Sequence, residues 1–194
     1  MQKVILESPY KSYEEAKFVD NYIYTLAVAR QLILKKEIAP AFFHGLYTQF
    51  LDDNTHERDI GIETSFLFHE NVEKKIFTLD RGISKGMGFS LEDALDKGID
   101  IQFYTALPPF TLTGGSVASI NKVSCVKERI AQAVALVEDL KRLNPEGFKR
   151  TGKLTEYDHY LDSEITEVRG ILRRFIGVVV NDKRDFEPER CITR

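Results

Sequence analysis

Cysteine is scarce. Cys125 and Cys191 are the only two, and their spacing matches no zinc, redox or disulfide motif. Histidine is nearly as rare, and His44, His56, His69 and His159 make no metal-type cluster in sequence. No metal is therefore expected, and no resident cofactor is expected either. Long apolar runs are also missing: none could span a bilayer, and the run within the first ten residues is too short for a signal peptide. The expected setting is a reducing cytoplasm, without membrane partners. Nor is there an excess of basic charge. A formal net charge of −3 argues against a dedicated nucleic-acid surface, although it leaves room for a local basic patch. No internal repeat is evident.

What remains is ordinary globular material. With 194 residues, 43% hydrophobic and 29% charged, the chain can form one sizeable core, or one core plus an appendage. Residues 75–94 are the most informative stretch. Ile76, Phe77 and Leu79 form an apolar run that stops at Asp80, as in a central strand of a parallel sheet. Gly82, Ser84, Gly86 and Gly88 follow and permit close approach of a ligand to the backbone. A helix from Met87 to Ala94 would then aim its N-terminal N–H groups at the same spot, a place suited to an anion or a polar ring. An ordinary βα connection produces the same pattern.

The rest of the first half alternates strand and helix. Val4, Ile5 and Leu6 predict a first strand over residues 3–7, ended by Pro9. Ser12 and Glu15 fit a capping box for a helix reaching about Lys36, with Phe18, Val19, Ile23, Leu26, Val28, Leu32 and Ile33 facing the sheet. Residues 38–43 read as a second strand, placed at an edge by Pro40. Residues 44–54 read as a long polar and aromatic loop, a type that is usually functional. A helix over 57–69 would bury Ile60, Ile62, Phe66 and Leu67, and Ile99, Ile101 and Phe103 alternate in a fourth strand over 99–104. This predicts a small α/β domain over residues 1–106, a Rossmann-like parallel sheet with flanking helices. If the second and third strands lie on opposite sides of the first, ligands bind between the first and third.

Residues 107–117 read as a linker, and Gly114-Gly115-Ser116 lacks the spacing of a phosphate loop. A helical extension is expected over 118–180. Its first helix (118–143) carries a narrow stripe of Val123, Val126, Ile130, Ala133, Val137 and Leu140. Its second (155–175) carries Leu161, Ile165, Val168, Leu172 and Phe175. The two helices are expected to pair and lie on the sheet, or one stripe forms a homo-oligomer seam. Residues 181–194 read as a loose, charged tail.

Several ordered motifs carry a resemblance: residues 7–10 (Glu-Ser-Pro-Tyr), Asn21 with Tyr24, residues 36–40, residues 46–49 with 51–53, Glu57-Arg58 with Gly61-Ile62, and residues 80–87. Over about residues 2–105 the chain resembles an uncharacterised family common in bacteriophage genomes, which is similar in turn to the nucleoside 2-deoxyribosyltransferase-like superfamily. The resemblance implies a pocket for a nucleoside, a nucleotide or an ADP-ribose-like molecule. Its phage context implies sequestration of a host nucleotide signal, an anti-defence role in the host cytoplasm. In the transferases a glutamate in a Gly-Thr-x-x-Glu pattern attacks the anomeric carbon. Laid over residues 86–90, that pattern puts Ser90 in the nucleophile's place, with no adjacent base apparent in sequence. Glu92, two residues on, faces about 200° round the helix.

The candidate ligand-binding residues follow. Asp80 either binds a ribose hydroxyl, acts as a general acid, or caps the turn after it. Ser8 and Tyr10 either contact phosphate and stack on a base, or serve local turn chemistry. Tyr47, Gln49 and Asp53 lie on the long loop and would form a lid or read a base edge. Arg58 either pairs with phosphate or bridges Asp53 or Glu57. Asn21 and Tyr24 brace the pocket, and Gly82, Ser84, Gly86, Met87 and Ser90 line its turn. Three functions remain open. One is retention of a nucleotide-type molecule. The second is N-glycosidic cleavage or transfer with Asp80 or Glu92 as the carboxylate. The third is helical assembly around a vestigial pocket.

Overall fold

The computed structural model describes residues 1–10, 15–36, 38–48, 50–52, 55–106, 116–143 and 165–171. Strands β1 (Gln2–Glu7), β2 (Ile38–Ala41), β3 (Lys74–Thr78) and β4 (Asp100–Tyr104) form one all-parallel sheet in the order β2-β1-β3-β4. Helix α1 (Glu15–Lys36) connects β1 to β2. Helices α2 (Phe43–Tyr47) and α3 (Thr55–Leu67), with a 3-10 turn at His69–Asn71, connect β2 to β3. Helix α4 (Lys85–Asp96) connects β3 to β4. The chain is thus an α/β protein with a Rossmann-like sheet, as its alternating pattern predicts.

From β1 the chain runs outward to β2 and then returns to β3 on the other side. The carboxyl ends of β1 and β3 therefore flank the topological switch point. Pro40 pairs with Val4 on its one neighbouring strand, so its missing N–H falls where an edge strand tolerates it.

Alternation along each strand divides the core in two. Val4, Leu6 and Ile76 pack under α1 with Ile23, Tyr24, Ala27, Val28 and Leu32. On the other face Phe77, Ile101 and Phe103 pack with Met87, Leu91 and Ala94 of α4. The chain leaves α4 through Gly98, whose φ of +65° lets the Ile99 N–H turn back to the Ala94 carbonyl.

The C-terminal part departs from expectation in two ways. The helix predicted over 118–143 is two helices, α5 (Val117–Ile120) and α6 (Val126–Leu143). Between them Asn121 donates to the Phe103 carbonyl and accepts from the Phe103 N–H, and a side chain docked onto β4 this way stops the helix. Arg129 then ties α6 to the sheet through Asp100 and the carbonyls of Ile101 and Val123. Nor, among the described residues, do the two predicted stripes share one core cluster. Ala133, Leu136 and Leu140 of α6 join the α4 face, whereas Ile165 and Val168, from helical residues 165–171, join the α1 face. Each helix covers one side of the sheet, so the core runs across position 106.

Two further corrections concern helix faces. Ile33 is exposed, because Leu32 beside it takes the buried position on α1. On α3 Ile60 and Leu67 are exposed, and Gly61 is the buried contact, facing Tyr47 and Leu51. The expected capping box, linker and tail, and most of the predicted helix 155–175, lie outside the described residues.

Candidate functional site

Residues 8 and 80 leave neighbouring strand ends on the same face of the sheet, and two consecutive residues of α1 receive them. Tyr24 donates its hydroxyl to Asp80 Oδ2 over 2.5 Å, and Thr25 Oγ1 lies 2.5 Å from Ser8 Oγ. The Ala106 N–H also donates to Asp80 Oδ2, at 3.0 Å. Burial, then the Asp80 charge, pushes the Tyr24 phenol well above its usual range, so it stays protonated and donates.

Counting protons gives the direction of the Ser8 chain. Thr25 gives its only hydroxyl hydrogen to the Asn21 carbonyl (2.9 Å), so Ser8 donates to Thr25. Ser8 must then accept at its remaining contact, His44 Nε2 at 3.1 Å, which fixes the Nε2–H tautomer. Burial lowers the His44 pKa to about 4, consistent with a neutral donor. His44 therefore cannot take a proton from Ser8, and the pair is not an activated nucleophile.

Tyr10 is oriented in the same way. Thr48 donates to the His44 carbonyl (2.7 Å), so the Tyr10 hydroxyl donates to Thr48 (2.5 Å). Asn21 joins both halves: its amide N–H donates to the Tyr10 carbonyl at 3.2 Å, and its Oδ1 accepts from Arg81 at 2.9 Å. The Arg81 guanidinium lies 4.5 Å over the Tyr24 ring. Ser8, Tyr10, Asn21, Tyr24 and Asp80 thus share one network, with Thr25, His44, Thr48 and Arg81 as members not singled out in the sequence.

The turn after β3 brings this network to a helix start. Gly82 has φ +80°, the left-handed region that favours glycine, and its N–H bonds the Leu79 carbonyl. Ser84 caps α4 by accepting from the Met87 N–H at 3.3 Å. A Cβ at Gly86 would come no closer than 4.0 Å to Ser84 Oγ, and one at Gly88 would meet nothing within 4 Å. Met87 is packed inside the core and does not line the turn's outer surface.

A second polar cluster lies on the opposite face and was not legible in sequence. Lys75 is fully buried, and its three N–H donors go to Ser90 Oγ (3.1 Å), the Ser90 carbonyl (3.2 Å) and Asp93 Oδ2 (2.6 Å). Asp93 also contacts His69 Nδ1 at 3.1 Å and Lys97 at 2.9 Å. Burial alone would raise the Asp93 pKa, but these partners hold it at about 2. Burial lowers His69 to about 4. Ser90 Oγ donates to Glu7 Oε1 at 2.6 Å, so a base does stand beside it, 83 residues away in sequence. Ser90 is itself buried on the inner side of α4, which removes it from the ligand surface.

The remaining described candidates lie elsewhere. Tyr47 stacks on Phe43 in the α2–α3 layer, and Arg58 belongs to α3. The expected long loop is partly helix α2, where the close approach of Gly45 to the Phe42 ring leaves no room for a side chain. Glu92 is exposed on α4. Gln49 and Asp53 lie outside the described residues. Among the described residues no group of three or more histidine, cysteine or acidic side chains could hold a metal ion, and no helix is long and apolar enough to cross a membrane.

No curated protein and no solved structure matches the chain. A family model, a domain of unknown function (DUF7768), matches residues 2–104, from the start of β1 to the end of β4. The chain belongs to that family.

Proposed function

We propose that the protein binds a nucleotide or an ADP-ribose-type small molecule at the β1/β3 switch point and retains it without turnover. The observation that carries this is the meeting of Ser8 and Asp80, from adjacent parallel strands, on the consecutive residues Tyr24 and Thr25. Arg81, the left-handed Gly82 and the Ser84-capped start of α4 follow directly. A cation and a helix N-terminus suit phosphate, whereas hydroxyls and carboxylates suit a sugar. Retention is favoured over N-glycosidic cleavage because Asp80 is held by Tyr24 and Ala106, and Glu92 is exposed on α4. Assembly through the α6 stripe is disfavoured because that stripe is spent on the protein's own sheet.

Isothermal titration with AMP, ADP, ADP-ribose and cyclic ADP-ribose, followed by mass analysis of the recovered ligand, tests the proposal. At least one of them should bind and be recovered intact. Failure of all four to bind, or recovery of free base, would contradict it.

A further inference from the structure

We propose that Glu7 is a second ligand-contacting carboxylate at the switch point, an acceptor for the ribose hydroxyls of a nucleoside 5′-monophosphate, with Ser90 and Lys75 as its positioning residues. This rests on the nucleotide-binding function proposed above.

Glu7 is the last residue of β1 and pairs in register with Phe77, so it stands at the same carboxyl edge as Asp80, on the opposite face of the sheet. A carboxylate offers about four acceptor positions. Among the described residues Glu7 uses one, the 2.6 Å bond from Ser90 to Oε1. Glu7 is partly exposed, and among the described residues no hydrogen bond reaches its Oε2.

Glu7 accepts the Ser90 hydrogen bond and favours the Lys75 charge, and these contacts hold it in place without a hydrogen bond at Oε2. Lys75, buried on β3, binds both Ser90 oxygens, and Asp93 anchors Lys75 in turn. Ser90 can then only point its hydrogen at Glu7. Burial pushes the Glu7 pKa up, while Ser90 and the Lys75 charge oppose that rise. Together these features describe an oriented acceptor in a partly dry setting, where a charge-assisted bond to a hydroxyl is strong.

The test compares AMP with 2′,3′-dideoxy-AMP by titration into wild type, Glu7→Gln, Glu7→Ala and Ser90→Ala. Wild type should prefer AMP by about tenfold or more, the usual worth of a hydrogen bond to a charged group. The preference should fall to within about twofold in Glu7→Ala, with an intermediate fall in the nearly isosteric Glu7→Gln and in Ser90→Ala. Binding of the dideoxy compound should be unchanged, a pattern that a loss of folding would not produce. An undiminished preference in both Glu7 variants would overturn the proposal while leaving nucleotide binding intact. So would wild-type binding of ADP-ribose without binding of AMP. Wild-type release of adenine from AMP, abolished in Glu7→Gln, would replace the binding role with a catalytic one. Absence of binding by every nucleotide would instead remove the function on which the proposal rests.

Discussion

Tyr24 Oη stands 2.5 Å from Asp80 Oδ2, and the partnership joins a helix that leaves β1 to the tip of β3. Both groups are nearly sealed from solvent, so neither has water as a substitute partner. Tyr24→Phe should destabilise the protein by about 1.5–3 kcal/mol, the range for a bond to a charged group. Asp80→Asn should cost a similar amount, and the double variant less than their sum, because the two share one interaction. Urea denaturation of the four proteins measures that coupling.

Lys75 makes a second prediction. A buried lysine is tolerated only when its donors are met, and here Ser90 and Asp93 meet all three. Lys75→Ala would leave Asp93 with His69 and Lys97 alone and Ser90 without its donor. The expected loss is about 3–5 kcal/mol. Lys75→Met should also be destabilising, because it restores volume but not charge. Chemical denaturation distinguishes this from the near-neutral result expected if the side chain were solvated.

Acid should weaken the fold in a defined window. His44 and His69 titrate at about 4 in the folded protein, against an ordinary value of 6.5. Between these values the unfolded chain binds the extra protons, so stability falls as pH drops from about 6.5 to 4. Each histidine accounts for about 3 kcal/mol of this at most. Asp93, held at about 2, adds a further loss as pH falls below 3.8. Glu7, whose pKa is raised, works in the opposite direction, since its protonation favours the folded state. The urea midpoint followed from pH 7 to pH 4 should decline, and His44→Gln should reduce the slope.

Much of this arrangement was legible from local pattern. Apolar runs at residues 4–6 and 76–79 mark buried parallel strands, and Pro40 marks an edge. The polar residues just past those runs, Ser8 and Asp80, had to lie near the switch point once the strand order followed. Other features depend on distant contacts that no local pattern carries. Lys75 looks like a solvated charge before an apolar run, and only its central strand makes it buried. The bond between Glu7 and Ser90 spans 83 residues. Asn121 ends a helix because Phe103 offers it two backbone groups, which the heptad-like spacing of 123–140 conceals. Exposure of Ile60 and Leu67 follows from Gly61 taking the contact with α2.

Gly86 separates a structural from a ligand-dependent role. The protein leaves room for a methyl group there, and alanine is the better helix former by about 1 kcal/mol. Gly86→Ala should therefore raise the melting temperature by a few degrees while weakening nucleotide binding. Gly82→Ala should lower it, because φ +80° strains any side chain. Differential scanning calorimetry with and without ADP-ribose reads both effects.

The most direct test of the central claim is a two-dimensional amide NMR titration with ADP-ribose. Binding at the switch point should shift the signals of Ser8, Asp80, Gly82 and Gly86 and leave those of α6 in place. Shifts confined to the α2–α3 layer, or no shifts at millimolar ligand, would contradict the account.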